Sequence, residues 1–336
     1  MKIYDVAFLG MGASALATAK LKYKGTSISL IGIDKNYHSK RNNFFAFWLT
    51  DWMKDFDSLA QKKWFCWNFY LTNNHIKHET KDLPYCTIRY QDWKNYCLKG
   101  LENLSIKEFN VQSITNLKKY YEIKLENGEE IFAKKIYDSR TPKLENEKVK
   151  QHFFGYLIET KQMINSNSVT LMDFRVEQKM GLHFMYCLPI DENRMLVEST
   201  VFSSEIQEDA WYQKQILEYI ETKLNLSEYK IVDEEKGALP MYDIENKSSE
   251  NYINIGSRGG ATKISTGYAF SFFLKNIMLN FENINKAHHS YFDKWMDKVF
   301  VNYLKNNSGT EKVFINMAYS LNGNEFGSFM MGVADF

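Results

Sequence analysis

Glu198 stands in the run Met195-Leu196-Val197-Glu198-Ser199-Thr200-Val201-Phe202. Successive side chains of a β-strand point to opposite sides. Leu196, Glu198, Thr200 and Phe202 therefore share one side, and Met195, Val197, Ser199 and Val201 the other. Two fates are open to a carboxyl among apolar neighbours. If its side is covered, lost hydration disfavours the ionised form, raises the pKa and makes the group a proton donor near neutral pH. If the strand is an open edge, Glu198 is an ordinary solvated acid. Phe184-Met185-Tyr186-Cys187-Leu188-Pro189 precedes it across Ile190-Asp191-Glu192-Asn193-Arg194, and the two runs read as a β-hairpin.

Two further carboxylates sit beside arginines. Asp173 and Arg175, two apart on one face of an expected strand, read first as a structural ion pair and second as an acid of the site. Asp138 in Asp138-Ser139-Arg140 ends another strand, where it serves either sheet-end hydrogen bonds or a bound substrate. Metal chemistry is not expected: His75 with His78, and His288 with His289, lack companion ligands and read as surface positions.

The N-terminus carries a different signal. Tyr4 to Leu9 is strand-like and runs into Gly10-Met11-Gly12-Ala13-Ser14-Ala15, then a helix over Leu16 to Tyr23, then a strand Ser27 to Ile33 ending at Asp34. In a dinucleotide fingerprint Gly10 makes the tight turn, Gly12 lets backbone approach a diphosphate, Ala15 takes the third, helix-packing position, and Asp34 meets the ribose. A second glycine-rich element, Gly256-Ser257-Arg258-Gly259-Gly260-Ala261 with Ser265-Thr266-Gly267-Tyr268, follows the strand Tyr252 to Ile255 and opens a helix. Backbone N–H groups there can hold an electron-rich edge. Two such elements in one chain point to FAD, gripped at Gly10, Gly12, Ala15 and Asp34 and again at Gly259, Gly260, Thr266, Gly267 and Tyr268.

Between them the pattern alternates. The aromatic stretch Asn42-Asn43-Phe44-Phe45-Ala46-Phe47-Trp48 and the run Trp64-Phe65-Cys66-Trp67 are core or cavity lining. Tyr85 to Tyr90 is an expected strand and Asp92 to Leu101 a helix. Tyr120 to Leu125 and Glu130 to Ala133 form a hairpin around Asn127-Gly128, followed by a short strand Lys135 to Tyr137. From Gln151 onward come consecutive strands, Phe153 to Glu159, Val169 to Arg175, Leu182 to Leu188 and Met195 to Phe202, then a helix over Gln207 to Leu224. Lys236-Gly237-Ala238-Leu239-Pro240-Met241 breaks the helical pattern and marks a return to the first domain. The expected fold is α/β. A Rossmann-type FAD-binding domain (1–43, 84–150, 236–275) is interleaved with an antiparallel β-sheet substrate domain (44–83, 151–235), and a C-terminal helical region (276–336) follows. The apolar face of the helices over Phe270 to Leu304 is one candidate for a peripheral contact surface, but burial against the FAD domain is the first expectation for it.

With 336 residues the chain can build a large core, and its formal charge of +1 gives no sign of a nucleic-acid partner. Four cysteines without a pairing pattern, and no leader before the first strand, are the marks of a cytoplasmic protein. The 24 Phe, 21 Tyr and 7 Trp fill a core or line a site for a large apolar ligand.

Taken in order, Asp5-Val6 into Gly10-x-Gly12, Asp138-Ser139-Arg140, Gln151-His152-Phe153-Phe154-Gly155, Met172-Asp173-Phe174-Arg175, Leu196-Val197-Glu198-Ser199-Thr200, Gly237-x-x-Pro240-Met241, and Gly259-Gly260 with Ser265-Thr266-Gly267-Tyr268 resemble the flavin-dependent lycopene cyclases. Two positions depart from that pattern, Ala15 for a third glycine and Ile264 where relatives often carry proline. The resemblance implies a redox-neutral cyclisation of linear polyene ψ-ends to β-rings, dependent on reduced FAD, with Glu198 as acid/base and Asp173 and Asp138 as lesser candidates. It also implies a long apolar substrate and hence a peripheral membrane contact. The other readings are an FAD-dependent monooxygenase of the same broad fold and a non-catalytic carotenoid- or flavin-binding protein.

Overall fold

The structure is a computed structural model that describes residues 2–39, 41, 43–279 and 287–332. Asn42 of the aromatic run, and residues 280–286 and 333–336 of the expected C-terminal helical region, lie outside that set.

In chain order, β1 (Ile3–Leu9), α1 (Ala13–Tyr23) and β2 (Leu30–Ile33) are followed by β3 (Phe44–Trp48), β4 (Lys62–Trp64), β5 (Cys66–Leu71), β6 (Asn74–Glu79) and β7 (Tyr85–Arg89). Next come α2 (Tyr90–Leu98), β8 (Leu104–Lys107), β9 (Val111–Asn116), β10 (Tyr121–Leu125), β11 (Glu130–Asp138), β12 (Lys150–Thr160), β13 (Val169–Asp173), β14 (Leu182–Pro189) and β15 (Arg194–Ser203). The chain continues through α3 (Asp209–Thr222), β16 (Tyr229–Pro240), β17 (Tyr252–Asn254), α4 (Phe270–Leu279), α5 (Tyr291–Asn306), α6 (Glu311–Ser320) and α7 (Gly323–Met330).

The nucleotide-type sheet has the order β8-β2-β1-β11-β10-β9, with β17 on the far half of β11. β1, β2, β8, β11 and β17 run parallel, and the central strands β1 and β2 bury successive residues on both faces, as a doubly covered parallel sheet requires. The hairpin around Asn127-Gly128 forms as expected. Its second strand does not stop at Ala133 but continues to Asp138, absorbing the separate strand read at Lys135–Tyr137.

A second sheet has the order β16-β12-β15-β14-β13-β5-β6. The Glu198 hairpin forms its centre, with Tyr186 opposite Glu198 and Pro189 opposite Met195. Glu198 is thus not on an open edge. One face carries Met195, Val197, Met185 and Phe154 into a core closed by Tyr212, Ile216, Tyr219 and Ile220 of α3. The other face, with Leu196, Glu198 and Phe202, opens on an internal cavity.

Two sequence expectations need correction here. The segment over 236–241 does not return to the first domain: it ends β16, a twelve-residue strand pairing along β12 from Lys150–Pro240 to Thr160–Tyr229. Its charged run Asp233-Glu234-Glu235-Lys236 hid it, because edge strands tolerate charge that interior strands do not. The expected boundary at 235/236 therefore falls inside a strand. The region 44–83 also divides, since β3 and β4 pair with β7 in a separate three-stranded sheet whereas β5 and β6 extend the large one. Phe47, Trp48, Trp64 and Trp67 are core, while Phe44 and Phe45 line the cavity. His78 is buried, not at the surface: Trp67 Nε1 donates to its Nδ1 at 3.0 Å, and its Nε2 lies 2.7 Å from Ala318 O.

Among the C-terminal helices, α4 buries Phe270, Phe273, Leu274 and Ile277 as expected. α5 starts at a Ser290/Asp293 capping box and packs Phe300 against Phe314 at 5.2 Å. Its opposite side stays exposed, contrary to the expectation for the apolar face of this region.

Candidate active site

Four adjacent strands set one row of residues: Tyr186 on β14, Glu198 on β15, Gly155 on β12 and Glu235 on β16, each directly opposite the next. Neighbouring strands lie about 4.8 Å apart, so two intervals separate the backbones of Glu198 and Glu235. Gly155 puts no side chain between them, and the two carboxyls interact directly over it. Thr200 Oγ1 donates to Glu198 Oε1 at 2.5 Å, and the Phe44 N–H donates to Glu235 Oε2 at 3.2 Å.

A hydrogen bond between two carboxyls needs a proton on one of them. Burial raises Glu198 to about 7 against the opposing hydrogen bonds from Thr200 and Glu235. Burial and the neighbouring Glu198 charge hold Glu235 well above the usual carboxylate range. The pair therefore keeps a proton at neutral pH, and the titration belongs to both groups together.

Beside the pair, three phenols converge. The Tyr85 hydroxyl lies 2.7 Å from that of Tyr186 and 3.0 Å from that of Tyr268, and burial keeps all three protonated. The surrounding cavity, about 590 Å³, is lined by aromatic residues that include Phe45, Phe69, Phe184, Phe202, Phe270 and Phe326. Such walls exclude water and present ring faces to a cation.

The same cavity reaches the glycine turn through Gly12, Ala13 and Ser14. Gly12 caps α1 without a side-chain hydrogen bond, which leaves first-turn N–H groups without a side-chain acceptor, and apart from its chain neighbours no atom of the described residues lies within 4 Å of where its Cβ would stand. α2 braces this turn, with the Tyr90 hydroxyl donating to Met11 O at 2.9 Å and Trp93 Nε1 to Ala13 O at 3.1 Å. Gly267 has φ +76°, and a Cβ there would come within 1.9 Å of Gln151 Oε1, a buried oxygen with no hydrogen-bond partner among the described residues. An open diphosphate-sized approach at a helix start, with an unpaired acceptor across the cavity, fits a dinucleotide cofactor.

The structure distributes the other site residues as follows. Thr266, Gly267 and Tyr268 line the cavity with Glu198. Gly10 and Ala15 shape the turn from behind it. Asp34 accepts from the Met11 N–H at 2.8 Å and pairs with Arg41, which reaches both carboxylate oxygens. Burial works against ionisation of Asp34, but these donors hold its pKa down. Gly259 and Gly260 face a smaller recess of about 240 Å³ on the far side of their loop, with His288 and His289. Asp173 is fully buried on the α3 side of the sheet, bonded to Arg175 at 2.6 and 2.9 Å and to the Tyr219 hydroxyl at 2.7 Å, so the ion-pair reading holds. Asp138 is equally buried, held by Arg140, Arg258 and the Tyr252 hydroxyl. Neither carboxylate lines the cavity. Glu235, Tyr85 and Gln151 line the cavity and Gly155 lies between the two glutamates, positions that the sequence patterns left unassigned. For Glu235 the available signal was the period-two set Glu235-Gly237-Leu239.

Solved structures with this fold include flavoproteins. A geranylgeranyl bacteriochlorophyll reductase-like protein of Thermoplasma acidophilum superposes with TM-score 0.65 at 10% identity, covering 98% of this chain and 90% of that one. A Klebsiella pneumoniae HpxO variant complexed with FAD gives 0.65 at 9% identity, covering 98% of each chain. The flavin-dependent brominase Bmp2 gives 0.62 at 13%, covering 99% and 93%. The fold is thus that of the FAD-dependent oxidoreductases and halogenases. Within it, the chain belongs to the lycopene cyclase protein family, whose pattern matches residues 5–298. A chloroplastic neoxanthin synthase of Solanum tuberosum is 23% identical over 298 residues, 79% of this chain and 57% of that protein, so the chain spans a little over half the length of this curated relative.

Proposed function

We propose that this protein is a carotenoid cyclase that closes linear polyene ψ-ends to β-rings without net redox change. The observation that carries the reading is the pair of buried carboxyls, Glu198 and Glu235, set opposite each other across Gly155 beside an aromatic-lined cavity. The pair's O–H gives its proton to C2 of the terminal double bond, leaving a tertiary cation at C1. The C5=C6 double bond supplies its electrons to a new C1–C6 bond, and the charge moves to C5. Loss of the proton on C6 restores a double bond at C5=C6, and the carboxylate left in the pair can take that proton. One proton enters and one leaves. Ring faces of the cavity stabilise the cationic stages, each worth up to about 2 kcal/mol when desolvated.

FAD fits the glycine turn, with the start of α1 on the diphosphate, Asp34 at the ribose, and Thr266 to Tyr268 with Gln151 across the cavity. In its reduced form it would add an electron-rich ring to the cavity. Gly12→Ala tests this grip, because a methyl there meets no atom of the described residues beyond its chain neighbours. The expected result is an apo-protein within about 1 kcal/mol of native stability, with FAD affinity down at least about tenfold where backbone must approach the diphosphate. Flavin fluorescence titration beside a thermal melt checks it; native affinity would place the cofactor elsewhere.

The deciding experiment is expression in lycopene-accumulating cells. A ring-closed pigment of unchanged mass supports the cyclase, whereas an oxygenated product, or sustained stoichiometric NADPH and O₂ consumption, makes the protein a monooxygenase.

A further inference from the structure

α5 leaves a row of apolar residues outside the core. Tyr291, Phe292, Trp295, Met296, Val299 and Tyr303 fall on one broad face at 3.6 residues per turn, and Phe292, Trp295 and Val299 are 65%, 51% and 51% exposed. The helix is not loosely attached. Phe300, Val301 and Leu304 pack on the main core, Lys263 Nζ and Ser265 Oγ both bond the buried Asp297, and Lys298 pairs with Asp243. The outward face is therefore held outward.

The charges are sorted around the same axis. Lys294, Lys298 and Lys305 share one strip beside the apolar face. The helix's two acids lie on the other side, Asp293 in the N-terminal cap and Asp297 in the buried pair. An apolar face that contains Trp and Tyr, carries no acid of its own and is bordered by lysines, of which Lys298 is paired with Asp243 and Lys305 shares a recess with Glu145 and Glu147, matches a surface that is apolar inside and anionic at its rim. No helix among the described residues is long and apolar enough to cross a membrane.

We infer that α5 docks this protein in the plane of an anionic lipid bilayer, with Phe292, Trp295, Met296 and Val299 in the acyl boundary and the lysine strip on the headgroups. The inference deepens the cyclase reading, since a long polyene is held in bilayers, but its test does not depend on that activity. A protein partner or a second copy would also cover an apolar face; the one-sided lysine strip favours lipid.

The test is flotation of the full chain with phosphatidylcholine vesicles, with and without about one-third phosphatidylglycerol. Binding is expected to the anionic vesicles, with a blue shift of tryptophan emission that disappears in Trp295→Phe. Phe292→Glu with Val299→Glu should weaken binding by at least about tenfold. Lys294→Gln with Lys305→Gln should do so on anionic vesicles alone, each lysine being worth roughly fivefold near such a surface. All variants should keep the native melting curve and the native FAD affinity. Absence of flotation, flotation unaltered by these substitutions, or a stable dimer in gel filtration abolished by the Phe292/Val299 pair would overturn the inference. If flotation holds and lycopene-fed cells yield no ring-closed pigment, the surface stands and the cyclase reading fails.

Discussion

Glu198→Gln should give a protein that no longer cyclises its substrate and is more stable than the native chain above pH 7. Loss of a positioned general acid lowers rates by about 10²- to 10⁴-fold, and glutamine has no transferable proton at this acidity. The stability change has the opposite sign because of what the site does to its acid. Glu198 ionises near pH 4.5 when solvated and at about 7 in the fold. Between those values the folded chain binds more protons than the unfolded one, so stability falls as pH rises and levels off above the folded pKa. The elevation, which belongs to the pair, is a stability penalty on the folded chain wherever the acid must ionise. This penalty is absent below pH 4.5 and complete above 7, so the variant should match the native chain in urea at pH 4 and exceed it at pH 8.5. Its FAD affinity should be unchanged. A variant that cyclises at the native rate removes Glu198 from the mechanism, and one that is destabilised at pH 8.5 removes the strained carboxyl.

Gly155→Val should separate the pair without removing either acid. A Cβ at this position would stand 3.3 Å from Leu196 Cδ1 and 3.4 Å from Glu198 Cβ and Cγ. Alanine needs its neighbours to yield slightly, while valine drives a methyl group into the space where the carboxyls meet. A β-branched residue suits a central strand, so the sheet should persist with about 1–3 kcal/mol of overpacking. Misplacing reacting groups by about 1 Å can lower rates by about 10²-fold, and that loss is expected with a native far-ultraviolet spectrum. Alanine should fall between. If the valine variant kept the native rate, the two glutamates would have to act independently.

How much of this arrangement could be read beforehand depended on local pattern. The Glu198 hairpin was legible because period-two alternation across Leu196, Glu198 and Thr200 is a property of one strand. The glycine turn was legible because Gly10 and Gly12 lie between a strand and a helix. Glu235 was not, since its strand has an open margin and reads as a charged loop; its meaning arises only when Gly155 places it opposite Glu198. The tyrosine cluster joins residues 85, 186 and 268, and no short-range signal links them. Gly259 and Gly260 show the converse, a glycine pattern that faces the smaller recess rather than the main cavity. The unburied side of α5 could not be foreseen because amphipathicity does not say which apolar residues find a partner.

Half of the acid pair is carried by a strand with a neighbour on one side only. Local opening of a protein begins where few contacts hold the backbone, and in the sheet order among the described residues β16 pairs with β12 and not with β15, so opening here is expected to part β16 from β12 first. Amide protons flanking Glu235 should thus exchange with solvent sooner than those flanking Glu198. Each such excursion parts the carboxyls and wets the cavity, so warming should silence the protein through fraying at this margin before the chain as a whole melts.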